Sequence, residues 1–182
     1  MEGITRILIT GMKHSGKSTA GRSAAETLGA DFLDMDDLIE DLFLKDTGER
    51  LNPREIYQRG RDIFQNLEYK AADLLSRRNG SFFAASGGGI CDNEAACVRL
   101  ENFIWVYIEE DPVILFERIK NGGIPAFLTS EDPYGEFLNL YKHRSALYKK
   151  LCNIRITAGG RRPPEICSEI IKKLKEGGYG GK

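Results

Sequence analysis

The residues with the clearest chemical potential form a glycine-rich loop near the N-terminus. Residues 11–18 read G-M-K-H-S-G-K-S, and they follow an apolar run and precede a helical pattern. In that setting, backbone N–H groups converge on phosphate oxygens at a helix N-terminus, where the helix dipole favours negative charge. Lys17 would neutralise the outer phosphates, and Ser18 would offer a hydroxyl ligand to Mg²⁺. The loop therefore predicts a site for a nucleoside triphosphate and its metal ion.

The identity of the base is less directly encoded. The chain contains no N-K-x-D motif, the sequence that reads guanine, so ATP is the expected nucleotide. The alternative for the loop as a whole is a tight strand-to-helix turn with an unrelated lysine.

Two carboxylates follow the second apolar run. Asp34 and Asp36 occupy alternate positions, so we expect both to point to the same side as the chain leaves a strand. Ligands gather at the carboxyl ends of strands in an open α/β sheet. One acid could hold the water shell of a metal, and the other could accept a hydrogen bond from a substrate hydroxyl. The alternative is that Asp36 or Asp37 only caps the next helix.

Another acidic group, Glu109–Asp111, follows the apolar run 104–108 and has the form of a metal-holding acid in many ATPases. Because Asp111 precedes Pro112, a helix start with Asp111 as its N-cap is the better interpretation.

Arg144 lies on a predicted helix in the same stripe as Phe137, Tyr141 and Tyr148. A guanidinium in an apolar stripe needs an anion, since burying it unpaired costs several kcal/mol. Either an internal Asp or Glu or a ligand carboxylate or phosphate would supply it. The ligand is favoured, because arginine binds such groups with two parallel hydrogen bonds.

Alternating short apolar runs and longer helical patterns predict a mostly parallel α/β sheet. The predicted strands are 4–10, 31–33, 81–85, 103–108 and 153–157, and the predicted helices are 17–28, 63–75, 111–120, 134–151 and 164–175. In the second helix, Ile63, Leu67 and Leu74 predict the apolar stripe. Residues 47–53 are predicted to be a connector, 121–133 a mobile loop, and 177–182 a disordered tail.

Composition narrows the functional class. With 182 residues the chain is expected to form one domain. The 26 Lys and Arg residues balance 27 Asp and Glu residues, which argues against nucleic-acid or anionic-membrane partners. Four cysteines and two histidines offer no zinc-ligand spacing. An acidic N-terminus and the lack of a long apolar run predict a soluble cytoplasmic protein.

Several of these motifs, in this order, resemble those of shikimate kinases over nearly the whole chain: the loop 11–19, Asp34 and Asp36, Gly60 to Phe64 with Glu68, Gly87–Gly89, and Arg144 with Leu147 and Tyr148. The resemblance implies a P-loop NTPase fold, a three-layer αβα domain with a five-stranded parallel sheet. It also implies a substrate-binding region at 32–75 and a lid at 121–133.

The resemblance further implies transfer of the γ-phosphate of ATP to the 3-hydroxyl of shikimate with Mg²⁺, by a monomer acting on a small molecule. Asp36 would contact the acceptor hydroxyls, Gly88 would approach the ring and Arg144 would bind the carboxylate. Arg118 would pack against adenine, and Arg162 lies in the loop flanking the base. The residues expected to bind the nucleotide are Gly11, His14, Ser15, Gly16, Lys17, Ser18, Thr19, Arg118 and Arg162, and those expected to hold the metal are Ser18 and Asp34. The residues expected to bind the acceptor are Asp36, Arg61, Gln65, Gly87, Gly88, Gly89 and Arg144. The expected catalytic residues are Lys17, Asp36 and Lys13.

Three positions depart from the family pattern. Gln65 replaces an arginine that, in the family, is the second residue to bind the acceptor carboxylate. Arg61 lies one helical turn earlier, and our hypothesis is that it takes over this role as a displaced clamp. The alternative is that Arg61 is an ordinary solvated charge. Ile124 replaces an arginine of the lid, and Lys13 is the nearest charged substitute. His14 stands where glycine is usual, and we interpret it as structural.

These departures keep two other functions open. One is a kinase of a different small polyol or sugar acid. The other is a nucleotide-binding regulatory domain without turnover.

Overall fold

The structure is a computed structural model that describes residues 5–121 and 131–179. Five strands form one parallel sheet with the order β2-β3-β1-β4-β5. Their bounds are β1 Arg6–Thr10, β2 Asp31–Asp34, β3 Phe82–Ala85, β4 Ile104–Glu109 and β5 Ile154–Thr157. Each predicted strand is confirmed with small shifts at its ends, and Ile4 lies outside the described residues.

The helices are α1 Lys17–Leu28, α2 Met35–Thr47, α3 Pro53–Arg59, α4 Arg61–Arg77, α5 Glu94–Arg99, α6 Pro112–Asn121, α7 Pro133–Leu151 and α8 Pro163–Glu176. A 3₁₀ turn, Ile90–Asp92, precedes α5. The five predicted helices are confirmed as α1, α4, α6, α7 and α8. Sequence reading did not delimit α2 and missed α3 and α5.

The helices cover both faces of the sheet. Alternate residues of β1 point in opposite directions: Leu8 packs with α2, α4 and α5, whereas Ile7 and Ile9 pack with α1 and α8. A smaller apolar cluster joins Met12 of the loop to Phe116 of α6 and Phe137 of α7. The predicted three-layer αβα fold is therefore confirmed.

The predicted connector at 47–53 joins α2 to α3. Gly48 ends α2 in the left-handed conformation, with φ 77°, and its N–H donates to the carbonyl of Leu44. Asn52 and Glu55 then form a capping box, and Pro53 occupies the first helical position of α3. The C-cap of α2 at Gly48 and the N-cap of α3 at Asn52 are thus four residues apart, and the connector between the two helices is short.

The predicted apolar stripe of α4 is correct at Leu67, which is buried, and wrong at Ile63 and Leu74, which are 46% and 50% exposed. The buried face consists of Leu67, Glu68, Ala71, Ala72 and Leu75. Small alanines let α4 approach its neighbours closely, so the buried face includes Glu68 and excludes two large apolar residues. This rotation directs Glu68 into the interior.

The chain ends differently from the prediction. The N–H of Gly177 donates to the carbonyl of Lys173, the N–H of Tyr179 donates to the carbonyl of Leu174, and Tyr179 packs beside the α8 cluster, so the prediction of a disordered tail is wrong for residues 177–179. Residues 180–182, and the part of the predicted lid at 122–130, lie outside the described residues. Within the described ranges, no helix has the length and apolarity to cross a bilayer.

Candidate active site

The glycine-rich loop follows β1 and leads directly into α1. Gly11 has φ 150°, and a Cβ there would lie 2.6 Å from the carbonyl oxygen of Ile108, so no larger residue fits. Gly16 caps α1 with φ 84° and provides no side-chain cap. The first N–H groups of α1 therefore remain able to bind an anion.

Two buried polar groups in this loop fit a phosphate ligand. The Oγ of Ser15 is buried and has no hydrogen-bond partner among the described residues. Lys17 is only 8% exposed; burial lowers the pKa of its ammonium group, while Asp36 and Asp34 oppose that shift. A buried hydroxyl and a buried cation are both costly without partners, and phosphate oxygens would satisfy both.

His14 adopts the left-handed conformation, with φ 66°, which explains why glycine is usual at this position. Its carbonyl accepts a hydrogen bond from Nη1 of Arg118 at 2.9 Å. Burial lowers the pKa of the imidazole, and the neighbouring cations Lys13, Lys17 and Arg118 lower it further. Ser18 and Thr19 lie in the first turn of α1, where Ser18 is half-buried and Thr19 is exposed.

The two acids after β2 are arranged differently from the prediction. Asp34 is the N-cap of α2, and its Oδ1 accepts a hydrogen bond from the N–H of Asp36 at 3.0 Å. Because α2 begins at Met35, Asp36 lies in a helix and not in the strand. The alternation of side chains along a strand, on which the prediction relied, therefore does not apply to Asp34 and Asp36. The capping alternative was wrong as well, since Asp34 caps the helix rather than Asp36 or Asp37. Both acids nonetheless lie near enough to Lys17 to favour its charged form.

A second carboxylate lies beside Asp36. A Cβ on Gly87 would be 3.3 Å from Oδ1 of Asp36 and 3.5 Å from Oε1 of Glu68. Glu68 is 3% exposed, and its Oε2 accepts a hydrogen bond from Nδ2 of Asn93 at 2.9 Å. Burial raises the pKa of Glu68 to about 7, with Asp36 adding to the rise and Asn93 opposing it. Sequence reading noted Glu68 without a role and missed Asn93.

The glycine run connects the nucleotide loop to the acceptor side. A Cβ on Gly88 would lie 2.8 Å from the backbone nitrogen of Lys13. A Cβ on Gly89 would lie 2.9 Å from Nη2 of Arg144. The structure therefore brings Lys13, the run 87–89 and Arg144 together.

Arg144 has an internal anion in this structure. Its Nε donates to Oδ2 of Asp92 at 2.9 Å, and its Nη1 donates to the carbonyl of Gly88 at 3.2 Å. An internal acid therefore already pairs the Nε edge of this guanidinium, and the binding of a ligand at its other nitrogens stays a prediction. The 3₁₀ turn after Gly89 folds Asp92 back toward α7, a contact between residues 52 apart that no local pattern signals.

Among the described residues, neither the Arg61 side chain nor the Gln65 side chain makes a hydrogen bond or an ion pair with this cluster. Arg61 is exposed at the start of α4, and Gln65 takes part through its backbone carbonyl, which accepts from Nδ2 of Asn93 at 2.9 Å. The displaced-clamp hypothesis for Arg61 stays a prediction.

On the base side, Nη2 of Arg118 lies 3.1 Å from Oε2 of Glu110, whose side chain is fully buried. Oε1 of Glu110 accepts from the N–H of Gly160 at 3.0 Å, in the turn before α8. Arg162 precedes α8 with its side chain 84% exposed. These contacts connect α6, the loop at His14 and the turn before α8.

The acidic residues 109–111, at and after the end of β4, include a helix cap and a set of ion pairs. Oδ1 of Asp111 accepts from the N–H of Val113 at 2.7 Å, which confirms it as the cap of α6. Glu109 pairs with Nε of Arg155 at 2.5 Å and with Nζ of Lys149 at 2.7 Å. Across residues 5–121 and 131–179, no cluster of three or more His, Cys, Asp or Glu side chains is arranged to hold a metal.

Comparison with known proteins agrees with this arrangement. A family model described as shikimate kinase matches residues 13–175. A shikimate kinase from Sulfurihydrogenibium sp. is 30% identical over 173 residues, which cover 93% of this chain and 97% of the relative.

Solved structures give the same result. The Acinetobacter baumannii shikimate kinase in complex with shikimate has a TM-score of 0.82 and 25% identity, covering 97% of this chain and 96% of that one. The Aquifex aeolicus shikimate kinase has a TM-score of 0.77 and 28% identity, covering 97% and 100%. The family-model match includes residues 13–18 of the glycine-rich loop, the triple glycine and the helix of Arg144, and the chain therefore belongs to the shikimate kinase family, whose members are kinases that use ATP to phosphorylate a hydroxyl group.

Proposed function

We propose that this chain transfers the γ-phosphate of ATP to the 3-hydroxyl of shikimate. The observation that carries the proposal is the continuity of the site: Gly88 packs so closely on Lys13 of the nucleotide loop that a Cβ there would lie 2.8 Å from its backbone nitrogen, and the carbonyl of Gly88 accepts a hydrogen bond from Arg144. The family relative from A. baumannii, solved with shikimate bound, supports shikimate as the acceptor.

The nucleotide half would act by positioning and charge neutralisation. The N–H groups at the start of α1 and the ammonium of Lys17 would hold the phosphates, and Ser15 Oγ would gain the partner it lacks. Ser18 and the Asp34 carboxylate would hold Mg²⁺ directly or through water. When bound, Mg²⁺ neutralises charge on the transferring phosphate.

In the acceptor half, Asp36 would orient the reacting hydroxyl and receive its proton as the new P–O bond forms and the bond to ADP breaks. Gly87 leaves room for the ring beside Asp36 and Glu68. Arg144 would bind the carboxylate, and Gln65 offers no second positive charge. Lys13, exposed in the loop, is our candidate for stabilising the transferring phosphate.

Gln65 also favours a second candidate, a kinase of the same fold acting on another small polyol or sugar acid. Losing one charge-assisted hydrogen bond costs about 1.5 to 3 kcal/mol, which weakens the case for a carboxylated acceptor. In either case we propose a cytoplasmic monomer that acts on a small molecule, with neither nucleic acid nor membrane as partner.

The test is ADP release from purified protein with ATP, Mg²⁺ and shikimate, together with a panel of polyols and sugar acids. The expected result is shikimate-dependent ADP release and a product carrying phosphate on the 3-hydroxyl by NMR. Lys17→Ala serves as the inactive control. If another acceptor is turned over faster, that compound and not shikimate is the substrate. ATP binding without phosphoryl transfer to any acceptor would favour a regulatory domain.

A further inference from the structure

The arginine expected to bind the acceptor carboxylate already has an acid beside it. Asp92 engages the Nε edge of Arg144 at 2.9 Å, while Nη1 donates to the carbonyl of Gly88 at 3.2 Å. Both side chains are mostly buried, with Arg144 22% exposed and Asp92 19% exposed. An ion pair with limited access to water is weakly screened.

Asp92 is itself held in place. Its N–H donates to the carbonyl of Gly89 at 2.9 Å within the 3₁₀ turn, and its Oδ1 lies 3.2 Å from Nε2 of His143. The guanidinium of Arg144 is thus fixed along one edge, with its Nη2 resting against Gly89. Only the Nη1 and Nη2 ends can turn toward a ligand, because Nε is already used.

The same contact sets the charge of the pocket. A carboxylate bound at the Nη ends of Arg144 would lie only a few ångströms beyond the carboxylate of Asp92, and like charges at such distances repel. Gln65 adds no compensating cation on α4. The other acids facing this region are Glu68 and Asp36. The cations facing it are Arg144, the exposed His143 when protonated, and Lys17 and Lys13 on the side of Asp36.

We propose that Asp92 is a specificity-determining and positioning residue for the acceptor. Its hydrogen bond orients Arg144 over Gly88 and Gly89, and its negative charge lowers the preference of the pocket for carboxylated over neutral acceptors. The inference rests on the proposed function, since it assigns the acceptor carboxylate to Arg144.

Two substitutions separate the effect of the Asp92 charge on acceptor preference from the effect of its hydrogen bond on the orientation of Arg144. Asp92→Asn keeps an oxygen that can accept from Nε but removes the charge, whereas Asp92→Ala removes both. The matched control is Glu94→Gln, which removes the same charge from the first turn of α5. Retained ADP affinity and an unchanged circular dichroism spectrum show that each variant is folded.

The measurement is kcat/KM for shikimate and for its neutral methyl ester, with shikimate affinity taken by calorimetry in the presence of ADP. For Asp92→Asn we expect the shikimate-to-ester ratio to rise about five- to tenfold, through a lower KM for shikimate. For Asp92→Ala we expect a KM for shikimate at least fivefold above that of Asp92→Asn, because the guanidinium loses its orientation. Glu94→Gln should leave the ratio within twofold of the parent protein.

An unchanged or lower ratio in Asp92→Asn would overturn the charge effect, and equal KM values in the two Asp92 variants would overturn the positioning effect. If neither the parent protein nor Asp92→Asn binds shikimate more tightly than the ester, the whole inference is wrong. Carboxylate-dependent binding without phosphoryl transfer would instead contradict only the proposed function.

Discussion

The carboxylate of Glu110 lies 3.1 Å from the guanidinium of Arg118, and Arg118 donates its other terminal nitrogen to the carbonyl of His14. A fully buried acid at the end of β4 therefore restrains the loop expected to hold the phosphates. The same acid binds the N–H of Gly160, beside the loop that would flank the base.

Glu110→Gln should raise the KM for ATP several-fold with a smaller change in kcat, because Arg118 loses its charged partner while the catalytic groups stay in place. We also expect the free energy of unfolding to fall by about 1 to 3 kcal/mol, since the ion pair with Arg118 is lost and the N–H of Gly160 no longer donates to a charged oxygen. Steady-state kinetics and urea unfolding measure these effects. Glu117→Gln, which removes an exposed acid from α6, the helix of Arg118, is the control, and equal KM values for ATP in the two variants would contradict the restraint.

Gly88→Ala should impair the enzyme more than Gly89→Ala. The new methyl group at 88 would meet the backbone nitrogen of Lys13 at 2.8 Å, whereas at 89 it would meet the flexible end of Arg144 at 2.9 Å. We expect Gly88→Ala to weaken both ADP and acceptor binding, and Gly89→Ala to weaken acceptor binding alone. Calorimetric titration of each variant with both ligands tests this, and an unaltered ADP affinity in Gly88→Ala would refute it.

Arg61→Ala tests the displaced clamp. If Arg61 supplies the charge that Gln65 lacks, the KM for shikimate should rise roughly tenfold or more, as expected for one lost charge-assisted hydrogen bond. Arg54→Ala, another arginine before α4, is the control. A shikimate KM that matches the parent protein would identify Arg61 as a solvated surface charge.

Glu68 should make stability depend on pH. Its pKa is raised from 4.5 to about 7 in the folded protein, so folding favours the protonated form. Its contribution is therefore fully present below pH 4.5 and is lost as the pH rises to about 7. The parent protein should lose about 3 kcal/mol relative to Glu68→Gln across that range, measured by urea unfolding. A difference between the two proteins that stays constant from pH 5 to 8 would be inconsistent with this linkage.

Nucleotide binding should take up a proton at His14. Burial and the three nearby cations lower its pKa in the absence of phosphate, and a bound triphosphate would offset those cations and raise the pKa. ATP affinity should then increase as the pH falls through the range below 6.5. Calorimetry in buffers of different ionisation enthalpy measures the uptake, which His14→Gly should abolish; equal uptake in that variant would assign the proton to another group.

Local signals predicted the parts of the molecule that depend on local sequence. The loop 11–18 and helix α1 have the predicted bounds, because glycine spacing and a left-handed stop at Gly29 act within a few residues. The strands β3 and β4 were predicted because their side chains are almost continuously apolar, whereas β5 alternates buried isoleucines with exposed polar residues. The helix α2 was not delimited, since charged residues dilute its periodicity, and α5 is only six residues long.

The contacts that complete the site could not be predicted in the same way. Asp92 reaches Arg144 across 52 residues, and Asn93 reaches Glu68 across 25. Each pairing depends on how the turn after Gly89 packs against α4 and α7, which is a property of the assembled layers. The sequence accordingly identified Arg144 as needing an anion but could not identify which one.

The backbone of Gly88 meets both halves of the site, abutting the Lys13 amide on one side and offering its carbonyl to Arg144 on the other. A nucleotide that moves the loop at Lys13 would also move the Gly88 peptide, whose carbonyl accepts the hydrogen bond from Arg144. Thermodynamic reciprocity then requires ADP to change the affinity for the acceptor by the same factor by which the acceptor changes the affinity for ADP. That reciprocity holds for any pair of sites; what Gly88 supplies is the shared peptide through which a coupling between the nucleotide and the acceptor would pass.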